Sequence, residues 1–409
     1  MDDIQTAYCK AKGAHLSIRA LRNPSTREIL MRITLFNKTA GGISGGYRKY
    51  LQAMVPRITN DSSVHALQCI TPRSWHASSW LSFENTLNFF EYTPSPLLRS
   101  PATVIAEIAR FSPDVIFVPT ERTLLYRAAP VVNLFRNLDP FIENIRQYSV
   151  VENAKTIARR FDARHMFSVT KKIIVPTTFV QNFLIEHEKV AAKKIAVVHY
   201  GSDDSGAGDE HEQPPVAIKK LGPRPEFLLT AGAIRPGRGL EDALLAIAAL
   251  RDHHNVIDTL VIAGHVIPRM DRYALKLKNL CRQLDISDQV VWTGNLPRRE
   301  LYWCFRNCSS FLLTTRMETF CNIAIEALST GCKIVATNSS CLPEILAEHA
   351  LYYSPGDFSA LADATVRLRE ASNPTISKFS SSARHRAASF DWDKTASETV
   401  HVLSDAIRI

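Results

Sequence analysis

Short apolar runs alternate with amphipathic stretches along most of the chain, and the alternation restarts once. The first series comprises Met31–Phe36 (MRITLF), Asp114–Val118 (DVIFV), Pro130–Phe135 (PVVNLF), Lys172–Val175 (KIIV) and Lys194–Val198 (KIAVV). Each run is short, aliphatic and β-branched, which predicts a buried strand. Helical spacing separates most of them, as in YRKYLQAMV after the glycine cluster Gly41, Gly42, Gly45 and Gly46. The second series is EFLLTAG, TLVIAG, QVVWTG, SSFLLTT, KIVATN and ALYY, again with helical patterns between them. Such alternation predicts parallel, doubly wound sheets covered on both faces, so the fold class is α/β with two Rossmann-like domains.

Between the series lies Asp203–Pro215 (DDSGAGDEHEQPP), polar and rich in breakers, which reads as a linker. A chain of 409 residues also exceeds what one core usually supports. The predicted organisation is an N-terminal extension at 1–30 without clear periodicity and poorly ordered, then a first domain at 31–203. A linker at 204–225 and a second domain at 226–385 follow, and a closing helix at 386–409 packs back on the first domain. A cleft between the two domains is the natural place for a ligand, because open α/β sheets bind at the carboxyl ends of their strands.

Composition narrows the setting. A 45% hydrophobic and 22% charged chain with no apolar run long enough to span a bilayer is expected to be soluble. The acidic start MDDIQTAY lacks a secretory apolar core, so a cytoplasmic protein with reduced thiols is expected. Among eight cysteines, Cys304 and Cys308 could share a helix face, but no second ligand pair follows at zinc-site spacing, and no metal site is assigned. The net charge of +9 belongs to the first half: Met1–Tyr200 carries 26 Lys and Arg against 15 Asp and Glu. A basic half suits an anionic partner such as lipid headgroups or a phosphorylated substrate; a basic surface that only confers solubility is the plainer alternative. Aromatic residues at Trp75, Trp80, Phe83, Phe89 and Phe90 read as helix-spaced and could meet a lipid acceptor, or simply be core.

Three stretches could carry chemistry. In TTRMETFCNIAIEALSTG, Thr314–Gly331, a strand runs into a loop and then a helix from Asn322 to a glycine stop. A helix start exposes unpaired N–H groups and partial positive charge, so Thr319, Phe320, Cys321, Asn322 and Ile323 would seat a phosphate. Glu318 and Glu326 flank that seat. Carboxylates accept hydrogen bonds from hydroxyls, so a ligand with phosphates in the middle and polyols at both ends fits: a nucleoside diphosphate sugar, with Glu318 at the hexose and Glu326 at the ribose. Two solvated acids are the plainer alternative. In TAGAIRPGRGLEDALL, a strand ends at Gly232 and the turn holds Arg235 and Arg238, which can clamp a diphosphate. The cluster NKTAGGISGGYRKYL lets backbone amides approach a ligand closely, but it matches neither a P-loop nor GxGxxG.

Together these residues make the chain resemble the retaining glycosyltransferases of family 4, the GT-B group, from about Met31 to the C-terminus. The resemblance rests on the Glu-x7-Glu element at Glu318 and Glu326 and on the Gly232, Arg235, Arg238 and Gly239 turn. It also rests on VVWTGNLPRRELYWCF, SSCLPEIL, HALYYSPGD and SFDWDKTA in family order, and on the Gly41–Gly42 loop and the HYGSD end of the first series. The family often has Gly where Cys321 stands, and LFRNLDPF offers Arg136 and Asn137 where many members place a histidine.

The resemblance implies transfer of a hexose from a UDP- or GDP-linked donor to a hydroxyl of a glycan or lipid-linked acceptor. Glu318, Arg238 and Arg235 would be catalytic. Gly232, Glu326, Thr319–Ile323, Gly294, Asn295 and Leu296 would bind the donor, and Gly41, Gly42 and Asn137 would form the first-domain loop. No metal or other cofactor is required, no nucleic acid partner is expected, and an anionic membrane at the inner face of the plasma membrane is a candidate contact. A nucleotide-sugar epimerase or sugar phosphorylase on the same fold, or a non-catalytic binder of anionic glycans, is the alternative.

Overall fold

Strand order, more than strand number, decides where this molecule can bind a ligand. In the computed structural model, which describes residues 30–39, 42–81, 87–94, 100–142, 150–202, 213–222, 226–268, 270–371 and 373–408, thirteen strands form two sheets. The first contains β1 (Met31–Phe36), β2 (Val64–Pro72), β3 (Leu87–Tyr92), β4 (Val115–Val118), β5 (Val131–Leu134), β6 (Lys172–Val175) and β7 (Ile195–Val197), in the order β3-β2-β1-β4-β5-β6-β7. The second contains β8 (Phe227–Ala231), β9 (Thr259–Ala263), β10 (Val290–Gly294), β11 (Ser310–Leu313), β12 (Ile334–Thr337) and β13 (Leu351–Tyr353), in the order β10-β9-β8-β11-β12-β13. All paired strands are parallel. In each sheet the winding reverses once, between β1 and β4 and between β8 and β11, and the loops leaving those strands border a crevice.

The strands are buried on both faces, which is why they read as apolar runs. Two strands depart from the sequence expectation. β2 holds Gln68 and Thr71 inside the sheet, and buried Gln68 accepts a 2.8 Å hydrogen bond from Thr34 of β1. Such a polar pair breaks the apolar pattern although it is satisfied. The aromatic stretch is not a helix: Phe89 and Phe90 stand on edge strand β3, and buried Trp75 packs edge-on against Tyr47 at 5.7 Å. Phe83 lies outside the described residues, as do residues 1–29 and Gly41.

Part of the stretch read as linker packs with the second domain. Helix Val216–Lys219 buries Ile218 in the same core as Phe227 and Phe311. The closing helix, Trp392–Arg408, buries Trp392, Ala396, Val400 and Leu403 against helix Gly45–Thr59 and the first sheet. Its entry needs a glycine at 201, where a Cβ would stand 2.2 Å from the Trp392 backbone nitrogen. No helix among the described residues is long and apolar enough to cross a membrane.

An aromatic cluster joins the domains beneath the crevice. Tyr200 packs against Tyr50 at 5.2 Å and against Phe320 of the second domain at 4.8 Å, and Phe390 meets Phe320 at 5.8 Å. Beside it, Thr177 Oγ1 donates to the Thr319 carbonyl at 2.9 Å, and Thr319 Oγ1 donates to the Arg136 carbonyl at 2.8 Å. Glu344, on the short helix Leu342–Leu346, reaches across to cap helix Thr178–Glu186, accepting from the Thr178 and Phe179 amides at 2.8 and 3.0 Å and from His199 Nε2 at 2.9 Å. Burial pushes the Glu344 carboxyl up, but these hydrogen bonds outweigh it and hold it below the ordinary carboxylate value.

Candidate functional site

The loops after β8 and β11 meet at the reversal point of the second sheet. After β8, Gly232 has φ +123°, a conformation open to glycine, and the chain turns through Pro236–Arg238 to Gly239 at φ +59°. The turn is held by its backbone: Thr314 Oγ1 donates to the Arg238 carbonyl at 2.7 Å and Thr315 Oγ1 to the Gly237 carbonyl at 3.0 Å. Arg238 folds back over Gly232, where a Cβ would lie 2.7 Å from its guanidinium carbon. The absence of a side chain at 232 is therefore what lets the guanidinium lie in the crevice.

After β11, the loop carries Glu318 to the mouth of helix Asn322–Thr330. The Glu318 amide donates to Ser340 Oγ at 3.2 Å, and Ser339 Oγ donates to the Arg316 carbonyl at 2.9 Å, which fixes the loop. Cys321 precedes the helix at φ +62° and ψ +64°, and no side chain caps the helix start. A left-handed non-glycine residue costs on the order of 1–2 kcal/mol, which gives a physical reason for the glycine common at this place in the resembling family. Burial, and after it the nearby Glu318 charge, pushes the Cys321 thiol up to about 12, so it is a packing group and not a thiolate.

Across the crevice the first domain contributes Ser44, Gly45 and Gly46 at the start of helix Gly45–Thr59, with Tyr47 and Lys49 on that helix, Arg136 after β5, and Tyr200 after β7. Ser44 Oγ accepts from the Tyr47 amide at 3.3 Å and caps the helix. The crevice offers about 420 Å³, room for a ligand of several rings. Arg238 Nη1 approaches Glu318 Oε1 to 3.0 Å, Arg235 Nη2 stands 3.8 Å from the same oxygen and its Nη1 3.5 Å from Asp139, and Lys49 Nζ is 3.4 Å from Glu326 Oε1. Each sequence-predicted charge therefore has a counter-charge at the crevice.

The counter-charges do not complete the hydrogen bonding. Arg238 Nε and Nη1, Glu318 Oε1, Arg136 Nε and Tyr200 Oη are buried without a hydrogen-bond partner. The Arg238–Glu318 contact is close, but its angle is not that of a hydrogen bond. Orphaned buried polar atoms are rare in folded proteins, and here five of them line one crevice. The set comprises cationic and hydroxyl donors around one carboxylate acceptor, beside an uncapped helix start. A polyanion edged with hydroxyls would satisfy its second-domain members, Arg238, Glu318 and the helix start.

Of the residues the sequence singled out, Glu318, Thr319, Phe320, Cys321, Asn322, Ile323, Glu326 and Arg238 all line this crevice, and Arg235 stands at its edge. Gly232 shapes it from beneath Arg238. Gly294, Asn295 and Leu296 do not line it; they lie at the end of edge strand β10, two strands away from the reversal point. Asn137 is a correction: its Oδ1 accepts from the Asp139 amide at 3.0 Å, while Arg136 enters the crevice instead. Gly42 also stays off the lining, and Gly45 and Gly46 take its place; Gly41 lies outside the described residues. Sequence reading missed Tyr47, Lys49, Tyr50 and Tyr200. For Lys49 the available signal was its place one turn into the helix after the glycine cluster. Cys304 and Cys308 are both buried, and Cys308 Sγ lies 3.5 Å from Cys332 Sγ, not from Cys304.

Comparison with known proteins agrees with this fold. Residues 216–386 match the family model for glycosyl transferases group 1. A D-inositol 3-phosphate glycosyltransferase from Streptomyces bingchenggensis is 24% identical over 291 residues, covering 66% of this chain and 62% of the relative. The sulfoquinovosyl transferase of Arabidopsis thaliana is 23% identical over 320 residues, covering 74% of this chain and 59% of the relative. The chain thus spans about three fifths of the length of these curated relatives. Among solved structures, HepE from Anabaena in complex with UDP superposes with a TM-score of 0.68 at 16% identity, covering 92% of this chain and 100% of that one. WaaG, a glycosyltransferase involved in lipopolysaccharide biosynthesis, gives 0.63 at 14% identity, over 91% of this chain. These likenesses establish the two-domain GT-B fold.

Proposed function

We propose that this chain, which carries a glycosyl transferases group 1 domain at residues 216–386, is a retaining hexosyltransferase. It would move a sugar from a UDP- or GDP-linked donor to a hydroxyl of a glycan or lipid-linked acceptor in surface polysaccharide synthesis. The observation that carries this reading is the pair of orphaned Arg238 nitrogens and the orphaned Glu318 carboxylate oxygen beside the uncapped start of helix Asn322–Thr330.

In this reading the donor diphosphate sits against the amides of that start, with Arg238 and Arg235 on its oxygens. As the glycosidic bond breaks, negative charge grows on the departing phosphate oxygen, and donors already aimed at it stabilise that charge without reorganising. Glu318 accepts from the hexose hydroxyls and Glu326 from the ribose. Arg136 stands where the resembling family often has a histidine, so the acceptor proton passes to the departing phosphate oxygen on the same face, which retains the anomeric configuration. Gly294–Leu296 bound the base from the β10 edge.

The deciding experiment is a donor screen. The protein is incubated with UDP-, GDP- and ADP-linked hexoses, with and without sugar acceptors, and released nucleotide is measured. One nucleotide class is expected to be turned over and the matching free diphosphate to raise the melting temperature, because a ligand selective for the folded state stabilises it. No turnover and no shift with any of them at millimolar concentration removes the reading.

The first domain favours a membrane surface in the cytoplasm, on the face at the amino ends of β5, β6 and β7, away from the crevice. Leu125 (66% exposed) and Val169 (43% exposed) border a surface hollow shared with Arg127, Lys171 and Lys194 of the basic first domain. Apolar side chains ringed by cations suit an anionic bilayer, at about 1 kcal/mol per basic residue near the surface. The protein should float with phosphatidylglycerol vesicles at low salt and be released at high salt, and Lys171→Glu with Lys194→Glu should abolish flotation. Equal recovery with neutral vesicles would remove this part.

A further inference from the structure

The crevice holds a cation that its own acids do not engage. Lys49 faces Glu326 at 3.4 Å and Arg238 faces Glu318 at 3.0 Å. Arg136, on the first-domain wall, forms no ion pair among the described residues: its guanidinium lies over the Tyr47 ring at 3.9 Å, and its Nε is buried without a hydrogen bond. Glu121 forms no ion pair with the guanidinium; its Oε1 accepts from the Arg136 backbone amide at 2.9 Å. The Tyr200 hydroxyl lines the same crevice, is also buried, and also lacks a partner.

The arrangement is held in place. Glu121 ties the Arg136 amide, Thr319 Oγ1 donates to its carbonyl at 2.8 Å, and the tyrosine ring supports the guanidinium from one face. A buried guanidinium nitrogen without an acceptor is costly, and a charge-assisted bond to an anion would both satisfy it and add geometric selectivity. The second domain already supplies the diphosphate seat. A fixed cation with a free hydroxyl donor on the opposite wall points to a second negative group.

We infer that Arg136, assisted by the Tyr200 hydroxyl, seats a carboxylate or phosphate carried by a sugar substrate on the first-domain side of the crevice. This rests on the nucleotide-sugar reading above for the identity of the neighbouring ligand. The anion has two possible sources: the acceptor, or C6 of the transferred sugar.

Thermal shift measurements with and without UDP or GDP test it. Glucose 6-phosphate and glucuronate should each raise the melting temperature of the wild-type protein, whereas glucose at the same concentration should not. Arg136→Met should require about 10- to 100-fold more anionic sugar for the same shift, the range expected for one charge-assisted bond. It should keep the nucleotide shift, which also shows that the variant is folded. Arg136→Lys should retain part of the response. Two further arms assign the source. A preference for UDP-glucuronate over UDP-glucose in nucleotide release, lost in Arg136→Met, places the anion on the transferred sugar. An Arg136-dependent shift by glucose 6-phosphate on nucleotide-saturated protein places it on the acceptor. An equal response to glucose, an unchanged response in Arg136→Met, or loss of the nucleotide shift in that variant overturns the proposal; the last outcome would make Arg136 part of the diphosphate clamp. An Arg136-dependent response to anionic sugar without any nucleotide response would uphold the seat and remove the donor reading.

Discussion

Replacing Arg238 with alanine should lower kcat by about 10²–10³-fold with the donor identified in the screen, while leaving the fold intact. The magnitude follows from removing one preorganised donor to a developing oxyanion, which costs about 2.7–4 kcal/mol in the barrier. The side chain is 16% exposed, and two of its nitrogens lack hydrogen bonds, so its donors are not committed to holding the structure. The turn beneath it is kept by main-chain groups, since Thr314 and Thr315 donate to the Arg238 and Gly237 carbonyls and the Arg316 amide to Gly237 at 2.8 Å. Alanine preserves all three bonds. Glu318 would lose its closest cation, so Glu318→Gln in the same background controls for an unpaired buried carboxylate. Steady-state rates and melting temperatures on the same preparations decide the matter. Activity within threefold of wild type would mean that Arg238 does not face the leaving group.

What the chain revealed in advance was whatever is local. KIIV at Lys172–Val175 coincides with β6, and DVIFV and PVVNLF each contain a strand, because a strand buried on both faces needs an unbroken apolar run. The loop-to-helix junction at Glu318–Asn322 was visible from the switch in periodicity and from the glycine stop at Gly331, whose φ is +75°. β2 was not visible: Gln68 and Thr71 are polar, and the bond between Thr34 and Gln68 that makes the burial of Gln68 tolerable spans 34 positions. The first-domain wall of the crevice was hidden for the same reason. Lys49, Arg136 and Tyr200 come from loops and helices after β1, β5 and β7, and only the sheet order brings them to face the second domain. Of the pair Arg136 and Asn137 named in the sequence, Arg136 lines the crevice and Asn137 is exposed; both lie past the end of β5, where no strand pattern tells which of two neighbours faces inward.

A single methyl group at Gly232 should act on stability and on catalysis at once. Its φ of +123° is close to glycine-only territory, so alanine carries a backbone penalty of about 1–3 kcal/mol, readable as a lower melting temperature. The second consequence is chemical. The new Cβ would stand 2.7–2.9 Å from three guanidinium atoms of Arg238, nearer than real Cβ atoms approach, and a flexible side chain yields before a backbone does. Arg238 would swing out of the crevice, and Gly232→Ala should lose activity on the scale of Arg238→Ala although it adds no charge and removes none. A double-mutant cycle separates the two consequences. In the Arg238→Ala background the methyl group has no guanidinium to displace, so the further loss in kcat should be under about threefold, while the stability penalty persists in full. Independent, multiplying losses in kcat would show that Gly232 acts on catalysis by another route, and that the guanidinium's position over it is incidental.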